Sequence, residues 1–440
     1  MNRPYLLLLL IISSLISGCI RPKESYTSLA PGIWRGALKL SSIPTLSLKD
    51  EIERYEKEGT KPVYDPEDEL PFLFEVFYRP EDQKPYIEII NGTERIRIDE
   101  VYTGRNKNTA EDTVWIEFVA FDSHIRGIMK EGIIQGEWVA RNRVNYTIPF
   151  VAHFGKKDRF LVVPSAPVTD LTGTWDCLFD LNLEKTEKAI GEFKQIGASL
   201  TGTFRTESGD HRYLEGTVTG NKFFLSAFDG SHAYLFFGKI TGDSLLGTFK
   251  SGNHFLSVWT AVRNAEATLS SATQRNKETG RPVQFNFLNP EGEIRSLKDY
   301  DQEIKILQIM GTWCPNCYDE TRFLMEYLNK NQGLDIAVIG LACERHRDTV
   351  KAMNAIRNYR KKLDVPYEIL LAATTTSKPV VSTQLPFLDT ILAFPTLVIL
   401  DKNNKIHSIH TGFDGPATSK YPDFVKEFGQ TIQTIKEKIQ

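Results

Sequence analysis

The sequence predicts a multidomain fold, an N-terminal all-β region followed by a C-terminal α/β domain. Residues 31–264 carry short alternating apolar and polar runs that end at glycine and asparagine turns, which is typical of antiparallel strands. Beyond residue 280, apolar strands alternate with amphipathic helices, as in layered α/β domains. A weak internal repeat within the first region favours a pseudo-duplicated antiparallel barrel or sandwich.

The first residues have the pattern of a bacterial lipoprotein signal peptide. An apolar run over residues 5–16 precedes Ser17-Gly18-Cys19. This run is too short for a membrane span, which needs about 20 apolar residues. The small residues before Cys19 resemble the lipobox, in which the peptide is cleaved ahead of the cysteine and that cysteine is lipidated. We expect a signal peptide over residues 1–18 and a lipidated tether over residues 19–30, with an ordinary secretory signal as the alternative.

A lipidated Cys19 would place the protein in the cell envelope. Two or three acyl chains anchor a protein stably, because each buried methylene contributes about 0.8 kcal/mol. We therefore expect a lipid anchor in a membrane and a body that faces the periplasm or the exterior. The net charge of −3 argues against nucleic acid as a partner.

The internal repeat divides the β-rich region at about residues 31–160 and 170–264. Three segments recur in the same order in both parts: Gly32-Ile33-Trp34 with Gly173-Thr174-Trp175, residues 120–124 with 227–232, and Gly136-Glu137-Trp138 with Gly247-Thr248-Phe249. Such a period predicts a duplicated β unit rather than a solenoid.

Several residues of the repeat could suggest a binding site, but simpler interpretations are available. His124 and His232 recur in matching contexts, yet turns in which Asp122 and Asp229 bond the local backbone explain the pattern. The repeated tryptophans, Trp34 and Trp175, are expected to be core anchors. Cys177 follows closely and is also expected to be buried.

Residues 265–280 are rich in small polar side chains without apolar periodicity, which predicts an interdomain linker. The C-terminal domain would then span residues 281–440. Its predicted buried strands lie at residues 304–310, 334–341 and 396–400, and its predicted helices at about 315–330, 348–362 and the C-terminus.

The chemistry of the chain is concentrated in Cys314-Pro315-Asn316-Cys317, directly after a predicted buried strand. Five cysteines in 440 residues are too few for a disulfide scaffold, whereas a CxxC pair can cycle between dithiol and disulfide. If the helix starts near Pro315, its unpaired N–H groups and its dipole stabilise a thiolate at Cys314. Cys314 is therefore the predicted nucleophile, and Cys317, one turn along, the resolving thiol.

Residues from about 281 to 440 resemble the TlpA/ResA/CcmG-like thiol-disulfide oxidoreductases, the membrane-tethered bacterial branch of the thioredoxin-like, AhpC/TSA-related fold. The matching features are Trp313-Cys314-Pro315-Asn316-Cys317, Phe394-Pro395-Thr396, Thr411-Gly412-Phe413, and Glu320 three residues past the second cysteine. The resemblance implies protein disulfide substrates, an upstream membrane thiol reductant and no cofactor. It also implies roles such as apocytochrome c maturation or oxidative-stress defence.

The resemblance also implies a substrate groove beside the dithiol. Pro395 would be cis and would pack against the CxxC pair, although a proline that simply starts a strand is the alternative. The further groove residues implied are Trp313, Pro315, Asn316, Phe394 and Thr396.

Glu320 is the candidate proton acceptor. It would lie one helical turn beyond Cys317, where a carboxylate of raised pKa could take the proton of the resolving thiol. A solvated surface glutamate is the alternative. Thioredoxins proper carry a buried aspartate where this chain has Gln308, which moves the proton-handling role toward Glu320.

Two cofactor chemistries fit the pattern less well. Cys314, Cys317, Cys343 and His346 stand at zinc-ligand spacings, but Cys343 ends a predicted buried strand and is better explained as a small apolar residue. We therefore expect no metal. Attachment of c-type haem needs a histidine directly after the CxxC, where this chain has Tyr318.

Two other functions stay open. Thiol peroxidases of the AhpC/TSA type place a threonine three residues before a lone peroxidatic cysteine, and here that position is Gly311. Alternatively, the β-rich region binds a ligand or partner and the redox domain is auxiliary.

Overall fold

A computed structural model describes residues 29–40, 65–270 and 283–439. The predicted signal peptide, Cys19, and most of the predicted tether and linker lie outside these described residues. Two antiparallel sheets and one mixed sheet make up the structure. Within the described ranges, no helix is long and apolar enough to span a membrane.

The first sheet contains nine antiparallel strands in the order β4-β3-β2-β1-β9-β8-β7-β6-β5. They are β1 Gly32–Lys39, β2 Glu69–Tyr78, β3 Pro85–Asn91, β4 Glu94–Ile98, β5 Val101–Arg105, β6 Asp112–Phe118, β7 Ser123–Lys130, β8 Ile133–Ala140 and β9 Thr147–Phe154.

The second sheet contains β10 Gly173–Phe179, β11 Glu187–Ile196, β12 Ser199–Thr206, β13 Gly209–Asp210, β14 Leu214–Thr219, β15 Lys222–Phe228, β16 Ala233–Thr241, β17 Ser244–Ser251 and β18 Phe255–Arg263. Because β10 pairs with both β11 and β18, and β12 with both β11 and β14, eight of these strands close into a barrel. The short β13 pairs with the end of β12 as a tight hairpin.

Each pair of neighbouring strands in the first sheet has a counterpart in the second, with nine added to both strand numbers; for example, β1 pairs with β9 and β10 with β18. The repeated tryptophans occupy equivalent strands and are fully buried, and each indole N–H donates at 2.9 Å to the carbonyl four residues earlier, Trp34 to Ala30 and Trp175 to Leu171. Both are core anchors, as expected, and Cys177 is also buried. The predicted pseudo-duplicated antiparallel fold of the N-terminal region is confirmed.

The two β sheets differ in whether their edge strands pair and close the sheet into a barrel. Among the described strands, β3 and β5 of the first sheet are not paired, whereas their counterparts β12 and β14 are. The core of the first sheet instead includes Phe224, Phe228 and Leu235 from the closed barrel, and the Phe72 and Phe228 rings lie 4.4 Å apart. The two β units therefore share a core.

The repeated aspartates behave differently, and only one matches the expected turn. Asp229 accepts from the backbone N–H groups of Ser231 at 2.7 Å and His232 at 2.6 Å. The Asp122 carboxylate instead bonds the side chains of Arg141 at 2.8 Å and His346 at 3.0 Å. The expectation of a local turn was wrong for Asp122, because the side chains of Arg141 and His346, from elsewhere in the fold, bond its carboxylate.

The C-terminal sheet has the strand order β20-β19-β23-β22-β21-β24-β25. Its strands are β19 Asn286–Leu288, β20 Ile294–Ser296, β21 Ile304–Met310, β22 Ile336–Cys343, β23 Glu368–Ala373, β24 Thr396–Leu400 and β25 Ile406–Thr411. The helices are α1 Pro315–Lys330, α2 Thr349–Leu363, α3 Lys378–Gln384 and α4 Tyr421–Ile439.

This arrangement is the predicted α/β thioredoxin-like domain. Strands β21, β22 and β23 run parallel, and β24 and β25 complete the sheet in antiparallel order. Every residue of β21 is buried, as its apolar run predicted. Helix α3 was not predicted, because its β-branched residues disfavour helix, although Pro379 in its first turn was a usable signal.

Candidate active site

The two cysteines lie where the central strand β21 passes into helix α1. Cys314 is the N-cap of α1, Pro315 is its first residue, and the Cys314 sulfur accepts a hydrogen bond from the Cys317 N–H at 3.3 Å. The pair is joined as a disulfide with its Cα atoms 5.2 Å apart. Cys314 is 6% exposed and Cys317 is fully buried, so an attacking partner meets Cys314 first.

The Phe394–Pro395 segment lies beside the dithiol, with a cis peptide bond before the proline. The Cys314 sulfur is 3.7 Å from the Phe394 carbonyl oxygen, and the Phe394 ring packs edge-on against Trp313 at 5.7 Å. The Gly412 N–H donates to the Pro395 carbonyl at 2.9 Å. Trp313, Phe394 and Pro395 are therefore brought together around Cys314.

Thr396 lies apart from this group. Its side chain is fully buried, and its hydroxyl donates to the Ala393 carbonyl at 2.9 Å. Its hydroxyl therefore holds the turn before β24.

Glu320 is fully buried beneath the cysteines, on the same helix. Burial raises the pKa of its carboxyl to about 8. The Gln308 side-chain N–H donates to Glu320 Oε2 at 3.0 Å and also reaches the Cys317 carbonyl at 3.3 Å. Oxygen Oε1 of Glu320 has no hydrogen-bond partner among the described residues. A carboxyl that can bind or release a proton near neutral pH thus lies directly behind the resolving cysteine.

A set of hydroxyls fixes the orientation of the Gln308 amide. Its oxygen accepts from Thr321 at 3.2 Å and from Tyr367 at 3.3 Å, and Tyr359 donates in turn to Thr321 at 3.0 Å. With the oxygen occupied, the amide nitrogen faces Glu320. These three hydroxyls could not be predicted from the sequence, because their positions on α1, α2 and near β23 converge only in the folded domain.

A second buried carboxyl supports the loop that precedes the cysteines. Glu344 accepts from the Thr312 N–H at 2.9 Å and from its hydroxyl at 2.8 Å, and burial raises the pKa of Glu344. The Trp313 indole N–H donates to the Cys343 carbonyl at 2.8 Å, and Arg345 stacks over its ring. The end of β22 thereby orients Trp313, a role that no local pattern in the sequence predicts.

The side chains considered for zinc are not assembled as a ligand set. Cys343 is buried, and burial raises the pKa of its thiol above the usual range. His346 is paired with Asp122. Across the described parts of the chain, no group of three or more His, Cys, Asp or Glu side chains is arranged to hold a metal ion.

The fold and this site together define a class: the C-terminal domain is a thioredoxin-like thiol-disulfide oxidoreductase domain with one redox-active cysteine pair. Comparison with known families agrees, since residues 280–409 match the AhpC/TSA family. This match covers less than one third of the chain and leaves out the β-rich region. No curated protein matches the chain.

Solved structures similar to this chain include a thioredoxin-family thiol:disulfide interchange protein from Chlorobium tepidum, at 17% identity and a TM-score of 0.27, covering 35% of this chain and 98% of that one. StoA from Bacillus subtilis has 16% identity and a TM-score of 0.25, covering 34% and 97%. A DsbF homologue from Corynebacterium diphtheriae has 19% identity and a TM-score of 0.28, covering 37% and 96%.

Proposed function

We propose that this chain is a lipid-anchored thiol-disulfide oxidoreductase of the cell envelope that reduces protein disulfides through Cys314 and Cys317. The observation that carries the proposal is the position of Cys314, which caps helix α1 and lies 3.7 Å from the Phe394 carbonyl. A thiolate at this position gains from the unpaired N–H groups of the first helical turn.

The reaction would proceed by two exchanges. The Cys314 thiolate attacks one sulfur of a substrate disulfide, the new S–S bond forms, and the departing substrate sulfur takes the electron pair and a proton. The Cys317 thiolate then attacks Cys314 and releases the second substrate thiol. The substrate gains two electrons and two protons, and the enzyme dithiol becomes the disulfide seen in the structure.

Glu320 would take the proton from Cys317 in the second exchange. Its Oε1 is buried without a hydrogen-bond partner among the described residues, and a pKa of about 8 lets the carboxyl exchange a proton near neutral pH. Gln308, which bonds both Glu320 and the Cys317 carbonyl, would hold the carboxyl at this place.

A protein disulfide assay with purified full-length chain tests this function. We expect the wild type to reduce a protein disulfide, Cys314→Ser to lose the activity, and Cys317→Ser to accumulate a mixed disulfide on Cys314. Cys177→Ala is the matched control, since Cys177 is buried inside the β barrel and away from the dithiol. A Cys314→Ser variant with full activity would refute the proposal.

The cellular setting of the proposal rests on the N-terminal sequence. A lipidated Cys19 would hold the protein on a membrane, where an upstream membrane thiol reductant would return electrons to the disulfide, and apocytochrome c or oxidatively damaged proteins would be substrates to test. Cys19→Ala should move the protein from the membrane fraction to the soluble fraction. Retention of that variant on membranes would contradict the lipid anchor.

Two features count against the alternative functions. The position where AhpC/TSA-type peroxidases carry threonine is Gly311, and a Cβ there would collide with the Trp313 indole. The interior of the closed β barrel is filled with aromatic side chains such as Phe204, Phe236 and Trp259. This packed core counts against a ligand bound inside the barrel. Hydrogen peroxide consumption that matches disulfide reduction in rate would revive the first alternative.

A further inference from the structure

The β-rich region forms hydrogen bonds to the backbone of residues 313–317, which we call the dithiol loop. The Ser231 hydroxyl donates to the Trp313 carbonyl at 3.1 Å, and the Arg212 guanidinium donates to the Pro315 carbonyl at 3.3 Å. These two carbonyls lie on either side of Cys314. Residues from loops of the β barrel therefore bond the chain on both sides of Cys314.

The tight β12–β13 hairpin, residues 206–210, lies between the dithiol loop and the turn after β25. A Cβ at Gly209 would collide with the Asn316 amide, and one at Gly412 would lie 3.0 Å from the Ser208 carbonyl. On the same side, the Gly415 N–H donates to the Asp210 carboxylate at 2.7 Å. The hairpin thus fills the space from Asn316 to Gly412, the residue that bonds the Pro395 carbonyl.

Arg212 links this hairpin to helix α1 by buried charges. Its guanidinium pairs with Asp319 of α1 at 2.8 Å, with Glu94 of the first sheet, and with Asp229 at 3.7 Å. Removing one partner of such a buried pair is destabilising, because the remaining charges are left unpaired in a poorly solvated site. Arg212 is therefore the main polar contact between the barrel and helix α1.

The hairpin has room to move. Strand β13 contributes only two residue pairs, Arg205 with Asp210 and Thr206 with Gly209. One cavity of about 240 Å³ borders Arg212 and Asp319, and another of about 300 Å³ borders Gly209 and Gly412. Displacing this element disturbs far less structure than separating the whole barrel.

We propose that the β12–β13 hairpin and Arg212 form a cap that occupies the polypeptide groove beside Cys314, so that a protein disulfide reaches this cysteine only when the cap moves aside. This inference rests on the proposed function, because it concerns access to the same dithiol. A small disulfide needs only the sulfur of Cys314, whereas an extended polypeptide also needs the space between Asn316 and Gly412 that the hairpin fills.

The direct test compares two adducts of full-length Cys317→Ser protein. In one, Cys314 is joined to a short cysteine-containing peptide, and in the other to 2-mercaptoethanol. The Gly415 amide, bonded to Asp210 of the cap, should exchange its hydrogen at least about tenfold faster in the peptide adduct. Equal exchange rates in the two adducts would overturn the cap.

A second test opens the cap by substitution. Arg212→Ala should raise the rate of protein disulfide reduction, and the rate at which a peptide-linked maleimide alkylates reduced Cys314, at least about tenfold, because it removes the buried contact with Asp319. Arg159→Ala is the matched control, since Arg159 is an equally buried arginine, in the segment between β9 and β10, that pairs with Glu215 of β14. The control should remain within about twofold of the wild type in alkylation rate.

The outcomes separate the cap from the proposed function. If folded Arg212→Ala protein reacts at the wild-type rate in both assays, the cap is wrong while the reductase stands. If its alkylation rate rises but neither protein reduces protein disulfides, the cap is supported and the proposed function fails. Should Arg212→Ala fail to fold, the adduct comparison decides alone.

Discussion

The Gln308 amide donates to Glu320 Oε2 at 3.0 Å and thereby joins the central strand to a buried carboxyl one helical turn beyond Cys317. Hydroxyls of Thr321 and Tyr367 hold the other end of this amide. The carboxyl is thus held by a neutral donor in a buried site. This placement explains why burial, rather than a neighbouring charge, controls its pKa.

Replacing Glu320 with glutamine should change how stability depends on pH. The pKa of Glu320 is raised from 4.5 to about 8 by burial, so the folded state retains a proton that the unfolded chain releases. Between about pH 4.5 and pH 8 the free energy of unfolding of the wild type therefore falls, by up to about 1.4 kcal/mol per pH unit from this group. Glu320→Gln should lack this contribution.

Urea denaturation of the oxidised proteins at pH 5 and pH 9 measures this effect. The stability of Glu320→Gln relative to the wild type should rise with pH. The comparison uses the difference between the two proteins, so the titration of other groups cancels. Parallel pH profiles for the two proteins would contradict a buried, proton-retaining Glu320.

The same substitution should slow the resolving step. A glutamine amide cannot accept the Cys317 proton near neutral pH, and loss of a general base costs about a hundredfold in rate. The mixed disulfide between Cys314 and substrate should then live long enough to appear on a non-reducing gel. Glu326→Gln on the same helix is the control, because the Glu326 side chain is 60% exposed and should leave the lifetime unchanged.

Much of this site is encoded in local sequence. The dithiol, its strand-to-helix junction and the position of Glu320 all follow from spacings within a dozen residues. The cap could not be predicted in this way, because Gly209 lies in strand β13 and Asn316 in helix α1, and the two carry no shared local pattern. The same limit applies to Tyr359 and Tyr367, whose hydroxyls reach the Gln308 network only after the helices and strands pack.

Glu344→Gln should loosen the loop that carries Trp313. The two Glu344 oxygens accept one bond each from the Thr312 N–H and hydroxyl, and an amide NH₂ cannot accept the second bond. Leaving a buried donor unpaired costs about 1–3 kcal/mol in unfolding free energy. Denaturation followed by Trp313 fluorescence measures the loss.

A double-mutant cycle with Thr312→Val isolates this contact. Valine removes the hydroxyl and retains the backbone N–H, so the double variant should be more stable than the sum of the two losses predicts. A coupling of about 0.5–3 kcal/mol is expected for groups in direct contact. Strict additivity would show that Glu344 stabilises the loop by another route.

The repeated tryptophans offer a matched test of the duplicated β region. Trp34→Phe and Trp175→Phe each remove one indole N–H and leave the Ala30 or Leu171 carbonyl without that donor. Each change should cost about 1–3 kcal/mol. Arg263 stacks over Trp175 at 4.5 Å, which adds a cation–π contribution of about 0.5–1 kcal/mol to that site.

Urea denaturation should therefore show a larger loss of unfolding free energy for Trp175→Phe, while disulfide reduction stays at the wild-type rate in both variants. A larger loss for Trp34→Phe would mean that packing in the more open first sheet outweighs the cation–π contact.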